Sequence, residues 1–473
     1  MKRAGKLFLA ALVILASSAL YGQEGDMALT VYNDGNAIVR ETRTMLVPQP
    51  EGKVTFPDVA ATIDPTTVKF RSLSDPEGTF VIEQNYEYDL ASADKILEKY
   101  IDREIAVTTQ DGTNYEGTLV SFDREQLVIS QGPAGPLRII ARTDNIKNIL
   151  CRSLPEGLIT RPTLMWLLSS ETGGSQQVEV AYNASNCSWR ADYTALLNET
   201  DTMLDLSGWV TLTNNTGKTY PDARLKLIAG EVHRVEEELR RAGAARAMLM
   251  EARAPAFEEK AFAEYHLYTL ERRTTIKDRQ IKQIELLNAA GIPCEKKYVY
   301  APMSGLRYGG RGPMMDEYSV AEKGDVQVFI LFDNDEASNL GMPLPAGRVR
   351  LFKMDEGDME FVGEDSIEHT PKDEKVELLM GKAFDITAER TRTNFVRGPG
   401  ARWMEESFEI KIRNHKEEAV TVQCRERLFR WINWTIKAAN RDWEKLDAQT
   451  IEFPVTVEPD EEAIITYTVK YEW

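Results

Sequence analysis

The residue types most often used in catalysis and metal binding are few and dispersed in this sequence. The four histidines are His233, His266, His369 and His415. No two of them have the i, i+4 spacing of a helical zinc site, and none lies near a cysteine. The sequence also lacks the GxSxG serine motif and the GxxxxGK[ST] phosphate-binding loop. We therefore assign no catalytic, cofactor-binding or metal-ligating residue from motifs, and we expect a protein that is not an enzyme.

Residues 264–287, EYHLYTLERRTTIKDRQIKQIELL, are a dense run of a histidine, two tyrosines, and basic and acidic side chains. Read with the two-residue period of a strand, Tyr265 and Leu267 share one face and His266 lies on the other. The isoleucine spacing of the second half also fits a helix. We interpret the segment as strand, turn and strand, with Tyr265 and Leu267 toward the core. His266 is then a half-exposed framework residue and not part of an active site.

Two patterns leave room for carbohydrate chemistry. The chain has 75 acidic residues, and a pair of carboxylates could hydrolyse a glycosidic bond. Trp431, Trp434 and Trp443 could stack on sugar rings, although sandwich cores also use tryptophan.

Residues 333–335, Asp-Asn-Asp, begin like a calcium-binding loop, but the following ligand positions are not filled, so we predict a solvated turn.

Residues 1–22 have the pattern of a signal peptide. Lys2, Arg3 and Lys6 precede an apolar run from Leu7 to Leu15, and small residues follow. No later stretch is apolar enough to cross a bilayer. We expect the mature chain to start between residues 20 and 24, to be periplasmic or extracellular, and to have no transmembrane span.

The charge balance restricts the partners. The formal net charge is −18, and removal of Lys2, Arg3 and Lys6 with the signal peptide would take it from −18 to −21. A surface this acidic repels phosphate backbones. We therefore predict no nucleic-acid partner, and instead a protein or an envelope glycan.

The four cysteines are spread across the whole chain. Cys151, Cys187, Cys294 and Cys424 form no CxxC pair, which excludes the usual zinc and redox motifs. In an oxidising compartment they could form one or two long-range disulfides. The alternative is that they are isolated buried thiols.

The apolar pattern indicates β-structure at the N-terminus, followed by a small separate unit. Residues 23–91 contain short alternating runs, including a hairpin around the Asn-Asp-Gly-Asn turn at 33–36. Residues 92–101 have helical spacing and a Ser92 cap, and about five short strands follow. We assign residues 92–150 to this unit.

The 92–150 unit resembles an Sm-like small β-barrel. The resemblance rests on Gly117, Leu119 and Asp123, which match the G-x-L-x-x-x-D core of the first Sm motif. Where Sm proteins have an RNA-contacting asparagine, this sequence has Leu127. RNA binding is thus not implied, and we interpret the unit as an inserted structural or docking module.

Strand patterns return in residues 151–231 and 263–473. Residues 209–227 and 408–428 resemble each other: each is a strand, an asparagine-containing turn and a second strand. Paired strands of this kind predict antiparallel β-sandwich domains. Residues 232–262, rich in Ala, Glu, Arg and Met, are predicted as a helical or mobile insertion, and residues 301–322 as a Gly/Met-rich loop.

Several long segments from about residue 160 to 473 resemble the exported family called domain of unknown function 4139. They include SWRADYTALLNETDTMLDLSGWVTLTNNTGKTYPDARLKLIAGEV, GMPLPAGRVRLFKMDEGDMEFVGEDSIEHTPKDEKVEL and the C-terminal DAQTIEFPVTVEPDEEAIITYTVKYEW. The resemblance implies a β-rich sandwich protein. It implies no catalytic residues, because none are established for the family.

Together these patterns predict a mainly β, exported protein of the cell envelope that acts by binding or scaffolding. Two alternatives remain open. One is an enzyme that acts on envelope polysaccharide through paired carboxylates. The other is an adaptor that uses the small barrel as a docking module.

Overall fold

A computed structural model defines the architecture of most of the chain. It describes residues 24–88, 92–132, 135–143, 145–153, 155, 158–230, 257–262, 265–303, 312–315, 321–398, 400 and 402–473. The predicted signal peptide lies outside the described residues, as does most of the predicted insertion at 232–262.

The described elements are thirty strands and one helix, and the prediction of a mainly β fold is confirmed. The N-terminal strands are β1 (Glu24–Tyr32), β2 (Asn36–Val47), β3 (Glu51–Pro57), β4 (Ile63–Ser72) and β5 (Thr79–Glu87). The small unit contains α1 (Ala93–Lys99), β6 (Glu104–Thr109), β7 (Asn114–Phe122), β8 (Gln126–Ser130), β9 (Leu137–Ala141) and β10 (Ile146–Leu150).

The remaining strands fall into two groups in chain order, and these groups do not correspond to the two large cores. The first group is β11 (Thr163–Ser170), β12 (Gly174–Ser185), β13 (Cys187–Leu197), β14 (Met203–Asn214), β15 (Tyr220–Ala229), β16 (Phe257–Phe262), β17 (Tyr265–Leu270), β18 (Thr274–Ile276) and β19 (Gln280–Pro293). The second group is β20 (Glu295–Tyr300), β21 (Ala321–Asp333), β22 (Gly347–Asp355), β23 (Asp358–Ile367), β24 (Lys375–Arg397), β25 (Trp403–Asn414), β26 (Val420–Arg427), β27 (Trp434–Ala439), β28 (Glu444–Lys445), β29 (Thr450–Val457) and β30 (Glu462–Glu472).

The first core lies among three sheets. An eight-stranded sheet has the order β16-β17-β15-β1-β2-β12-β4, with β18 also paired to β15. It shares one cluster of buried apolar side chains with the three-stranded sheet β3-β11-β5 and the five-stranded sheet β19-β14-β13-β22-β23. Strict alternation produces this core: on β12 Val178, Val180, Tyr182 and Ala184 are buried, and the residues between them face outward.

The second core is enclosed by a nine-stranded sheet, β27-β30-β25-β24-β21-β20-β26-β29-β28. Its two longest strands, β21 and β24, also reach the first core. Ile330 and Leu378 belong to the first cluster, whereas Val328 and Ala388 belong to the second. These continuous strands join the two cores without a linker.

Most strand pairs are antiparallel, as predicted, but three pairs are parallel. They are β1 with β15, β13 with β22 and β20 with β26. In each pair the two strands are far apart in sequence. Parallel neighbours require a crossover connection, so the hairpin pattern of the sequence could not indicate them.

The repeated strand-turn-strand segments have the same turn geometry. Asn214 accepts a hydrogen bond from the Thr216 amide (3.1 Å) and donates its own amide to the Lys218 carbonyl (2.9 Å). Asn414 accepts from the Lys416 amide (3.0 Å) and donates to the Glu418 carbonyl (2.8 Å). Both asparagines are fully buried, and each therefore fixes a turn between a strand and its successor.

The small unit is a separate sheet with its own core. Ser92 caps α1 by accepting a hydrogen bond from the Lys95 amide (3.3 Å). The five strands follow the order β10-β6-β7-β8-β9, and Leu97, Leu119 and Leu127 lie in their core. The described residues show no ladder between β9 and β10, and the Sm-like barrel therefore stays a prediction.

The small unit is inserted between two neighbouring strands. Strands β5 and β11 pair antiparallel, with Glu87 opposite Thr163. Directly paired residues on antiparallel strands lie about 5 Å apart. The chain between them thus leaves and re-enters the large domain at one place, which is the geometry of a tolerated insertion.

We expect residues 89–157 to be dispensable for folding of the rest of the chain. A short Gly/Ser linker from Tyr88 to Leu158 should leave β5 paired with β11 and change the melting temperature by less than about 4 °C. Thermal denaturation of the shortened and full chains measures this. A shortened chain that no longer unfolds cooperatively would contradict the expectation.

Two predicted boundaries are wrong. Residues 257–262, which we assigned to the 232–262 insertion, form strand β16, and Phe257 is buried in the first core. Residues 321–322, which we assigned to the 301–322 loop, begin strand β21. Residues 257–262 pair with the next strand, β17, and residues 321–322 pair with the distant strand β24, so a strand partner organises residues whose own sequence has little periodicity.

Candidate binding cleft on the inserted sheet

A cleft of about 450 Å³ opens on the outer face of the small sheet. It crosses four strands and is lined by two rows of side chains that share this face. One row consists of Leu150, Ala106 and Glu116, which are successive partners in the ladders. The other row consists of Glu104, Thr118, Ser130 and Leu137, of which the first three line the cleft.

Gly117 shapes the cleft. A Cβ atom at this position would collide with the carbonyl oxygen of Ser130 on the neighbouring strand. Glycine thus lets β7 and β8 approach closely at this point, which is a common use of glycine inside a strand. The residue that supported the Sm resemblance is therefore required by local packing.

The charged groups of the cleft are solvated. Glu104 lies 3.4 Å from Arg152, but their side chains are 69% and 77% exposed. Glu116 is also exposed and, within the described part of the chain, has no ion-pair partner. The carboxyl group that acts as a general acid in glycoside hydrolysis needs an apolar, buried environment to stay protonated. The surroundings of Glu104 are instead typical of a polar binding surface.

The candidate tryptophans do not form a platform together. Trp434 on β27 contacts Trp443 next to β28, with ring centroids 6.3 Å apart, and its indole donates to the Ala448 carbonyl (2.9 Å). Strands β27 and β28 are the two edges of the nine-stranded sheet. Trp431 packs separately against the second core. The tryptophans therefore join the sheet edges and cover the core.

The second core contains the most deeply buried charges. Glu406 accepts two hydrogen bonds from Arg430 (2.6 and 2.8 Å) and one from Arg392 (3.3 Å). The Nε–H of Arg390 is shared between the two carboxylate oxygens of Glu426 (3.0 and 2.8 Å). Glu406 thus pairs with two guanidinium groups and Glu426 with one, so each carboxylate is held as a charge partner and is not available as a base. Sequence analysis missed this layer because its members come from β24, β25, β26 and the loop that follows β26.

The Glu426 site also holds Tyr467 in its neutral form. The Tyr467 hydroxyl donates to Glu426, and burial, together with the negative charge of Glu426, raises the pKa of this tyrosine well above its usual value. A nucleophilic phenolate is thus disfavoured here. The arrangement stabilises the fold and offers no reactive group.

The structure disperses the other candidate residues. The described residues contain no group of three or more His, Cys, Asp or Glu side chains placed to hold a metal ion. His233 lies outside the described residues. His369 accepts a hydrogen bond from the Ala346 amide (3.0 Å), and His415 donates its backbone amide to the Asp385 carbonyl (2.8 Å).

In the Asp-Asn-Asp segment at 333–335, which we predicted as a solvated turn, the central residue is buried and hydrogen-bonded. Asn334 is fully buried and donates to the carbonyls of Met342 and Pro371 (2.9 Å each). It therefore ties the end of β21 to two loops. The prediction was wrong for this residue because its partners lie 8 and 37 residues away in sequence.

Residues 265–287 are strand, turn and strand, as interpreted from the sequence, with one correction. They form β17, β18 and the start of β19, but the buried side chains of β17 are Tyr268 and Leu270. The predicted core residues, Tyr265 and Leu267, are only half-buried, as is His266. Strand periodicity is the same for both faces, so the choice between them depended on the sheet that β17 joins.

The four cysteines are free thiols that belong to different parts of the protein. Cys187 lies in the first core and Cys424 in the second, whereas Cys151 and Cys294 are half-buried. Burial raises the pKa of Cys187 to about 12. Burial, with help from Asp201, raises that of Cys294 to about 11. Burial also raises the pKa of the Cys151 and Cys424 thiols.

We expect native thiol labelling to be slow and selective. The thiolate is the reacting species, and at pH 8 a thiol of raised pKa is almost entirely protonated. A disulfide reagent should modify Cys151 first and leave Cys187 and Cys424 unmodified until denaturant is added. Peptide mapping by mass spectrometry gives the order. Fast modification of Cys424 in the folded protein would contradict its buried position.

Within the described ranges, no helix is long and apolar enough to cross a membrane. The protein is mainly β, with an inserted sheet that carries a solvated polar cleft. The sequence model of the family described as Domain of unknown function (DUF4139) matches residues 178–473, and the chain belongs to this family. A search of curated proteins found no match to the chain.

Proposed function

We propose that the protein is an exported protein of the cell envelope that acts by binding or scaffolding, with the inserted sheet as its docking module. The observation that carries this proposal is the solvated cleft on that sheet. Its lining combines carboxylate, guanidinium, hydroxyl and aliphatic groups over a volume within the usual range of binding sites. The insertion between β5 and β11 supports it further, because a module joined at one place leaves its outer face open to a partner.

Export is supported by the charged and apolar pattern of residues 1–22. N-terminal sequencing of the protein from its native host should find a start between residues 20 and 24. Fractionation should place it in the periplasm or the medium. An intact Met1 on a cytoplasmic protein would refute export.

The docking role is tested with two baits, the full mature chain and the same chain with residues 89–157 replaced by a short linker. Each is cross-linked to envelope fractions, and captured species are identified by mass spectrometry. We expect at least one protein or glycan that only the full chain captures. Identical captures by two equally folded baits would mean that the inserted sheet is not the docking module.

A second candidate function is hydrolysis of envelope polysaccharide. Glu104 and Glu116 are diagonal neighbours on adjacent strands, and such positions lie about 7–8 Å apart. The carboxyl groups of inverting glycosidases are about 6.5–9.5 Å apart. Release of reducing ends by the full chain, abolished by Glu104→Gln and by Glu116→Gln, would establish the enzyme. The exposure of Glu104 and its pairing with Arg152 favour binding.

A further inference from the structure

The outer face of the inserted sheet has an ordered distribution of side chains. Aliphatic residues stand at its two edges: Leu137 and Ile139 on β9 are 63% and 68% exposed, and Leu150 on β10 is 57% exposed. The polar groups of the cleft lie between them. The face therefore offers apolar area at both edges of a polar cleft, and a partner that spans the cleft can cover this area.

The charge of the cleft indicates the charge of the partner that it attracts. Arg152 is compensated by Glu104, whereas Glu116 has no ion-pair partner within the described residues, so the cleft as a whole is anionic. The chain that surrounds it has a formal net charge of −18. A field of this sign attracts basic groups and repels acidic ones.

The dimensions fit a stretched polypeptide. From β9 to β10 the sheet order crosses four strand spacings, which corresponds to about 19 Å. An extended segment of about six residues has this length. Its alternate side chains point to one side, so a single segment can place aliphatic residues over the edges and basic residues over the cleft.

We infer that this face binds an extended segment of a partner protein in which aliphatic and basic side chains alternate. The aliphatic side chains contact Leu137 and Leu150, and a lysine or arginine between them pairs with Glu116. Thr118 and Ser130 lie below the segment and can hydrogen-bond to its backbone. This inference rests on the proposed docking function and names the chemistry of the partner.

The test uses the full mature chain and synthetic peptides with threonine at alternate positions. The probe is acetyl-LTKTKTL-amide carrying a fluorophore, and its binding is followed by fluorescence anisotropy. We expect LTETETL, with reversed charge, and STKTKTS, without aliphatic ends, to bind at least ten-fold more weakly. Binding of the lysine peptide should weaken as salt is raised.

Matched variants locate the site. Glu116→Lys should weaken binding of the lysine peptide at least ten-fold, and Leu150→Ser should weaken it several-fold. Glu98→Lys makes the same charge change at an exposed position of α1, away from the cleft. This variant should weaken binding of the lysine peptide less than two-fold. Circular dichroism confirms that all three variants are folded. Equal effects of Glu116→Lys and Glu98→Lys would overturn the inference, because they would show only long-range charge.

Two further results would also overturn it. One is equal binding of the lysine and glutamate peptides. The other is a dimer of the free chain that Glu116→Lys dissociates in sedimentation experiments, because a second copy would then occupy the face. If the peptides fail while the inserted sheet still determines which species are captured, the docking function stands and only this partner chemistry is wrong.

Discussion

Replacement of Glu406 by alanine is expected to destabilise the second core by about 3–5 kcal/mol. The side chain is 1% exposed and accepts hydrogen bonds from Arg430 and Arg392, whose side chains are 1% and 7% exposed. Without the carboxylate, two guanidinium groups stay charged in a space that water does not reach. Breaking a buried pair from one side therefore costs far more than the pair contributes.

Chemical denaturation of the variant and the wild type measures this loss. Glu409→Ala is the control on the same strand: Glu409 pairs with Lys411 at 2.9 Å, but both side chains are about one-third exposed. An exposed pair of this kind contributes less than about 1 kcal/mol. A Glu406→Ala protein as stable as the control would mean that Arg392 and Arg430 find water or other acceptors.

A second large effect is expected at Leu270 on β17. The side chain is 4% exposed in the first core, and Leu270→Asp would place a carboxylate among apolar neighbours. Such a group is either charged without a partner or protonated at a cost, and we expect a loss of at least about 3 kcal/mol. Expression as insoluble protein would be consistent with this.

The neighbouring strand positions provide the controls. Leu267→Asp affects a half-buried side chain on the other face of β17 and should cost clearly less than Leu270→Asp. His266→Ala should cost under about 1 kcal/mol. Denaturant melts of the three variants give the ranking. If Leu267→Asp were the most damaging, the face assignment of β17 would be reversed.

The pattern of local sequence determined the fold class and the segments of the chain. Two-residue alternation on β12 and β30 indicates strands, because a half-buried strand must place every second side chain in the core. Helical spacing and the Ser92 cap located α1. The similarity of residues 209–227 and 408–428 identified two turns with equivalent buried asparagines.

Only the tertiary structure decided which face of a strand is buried and which charges meet. Both faces of β17 have the same periodicity, so its packing against β15 and β16 had to select Tyr268 and Leu270. Glu406 meets arginines 14 and 24 residues away in sequence because β24, β25 and the loop after β26 converge there. The cleft likewise needs β6, β7 and β8 in register before Glu104, Glu116, Thr118 and Ser130 share one surface. Local sequence specifies the period of a strand, but the partners across the sheet set its register and the side that water reaches.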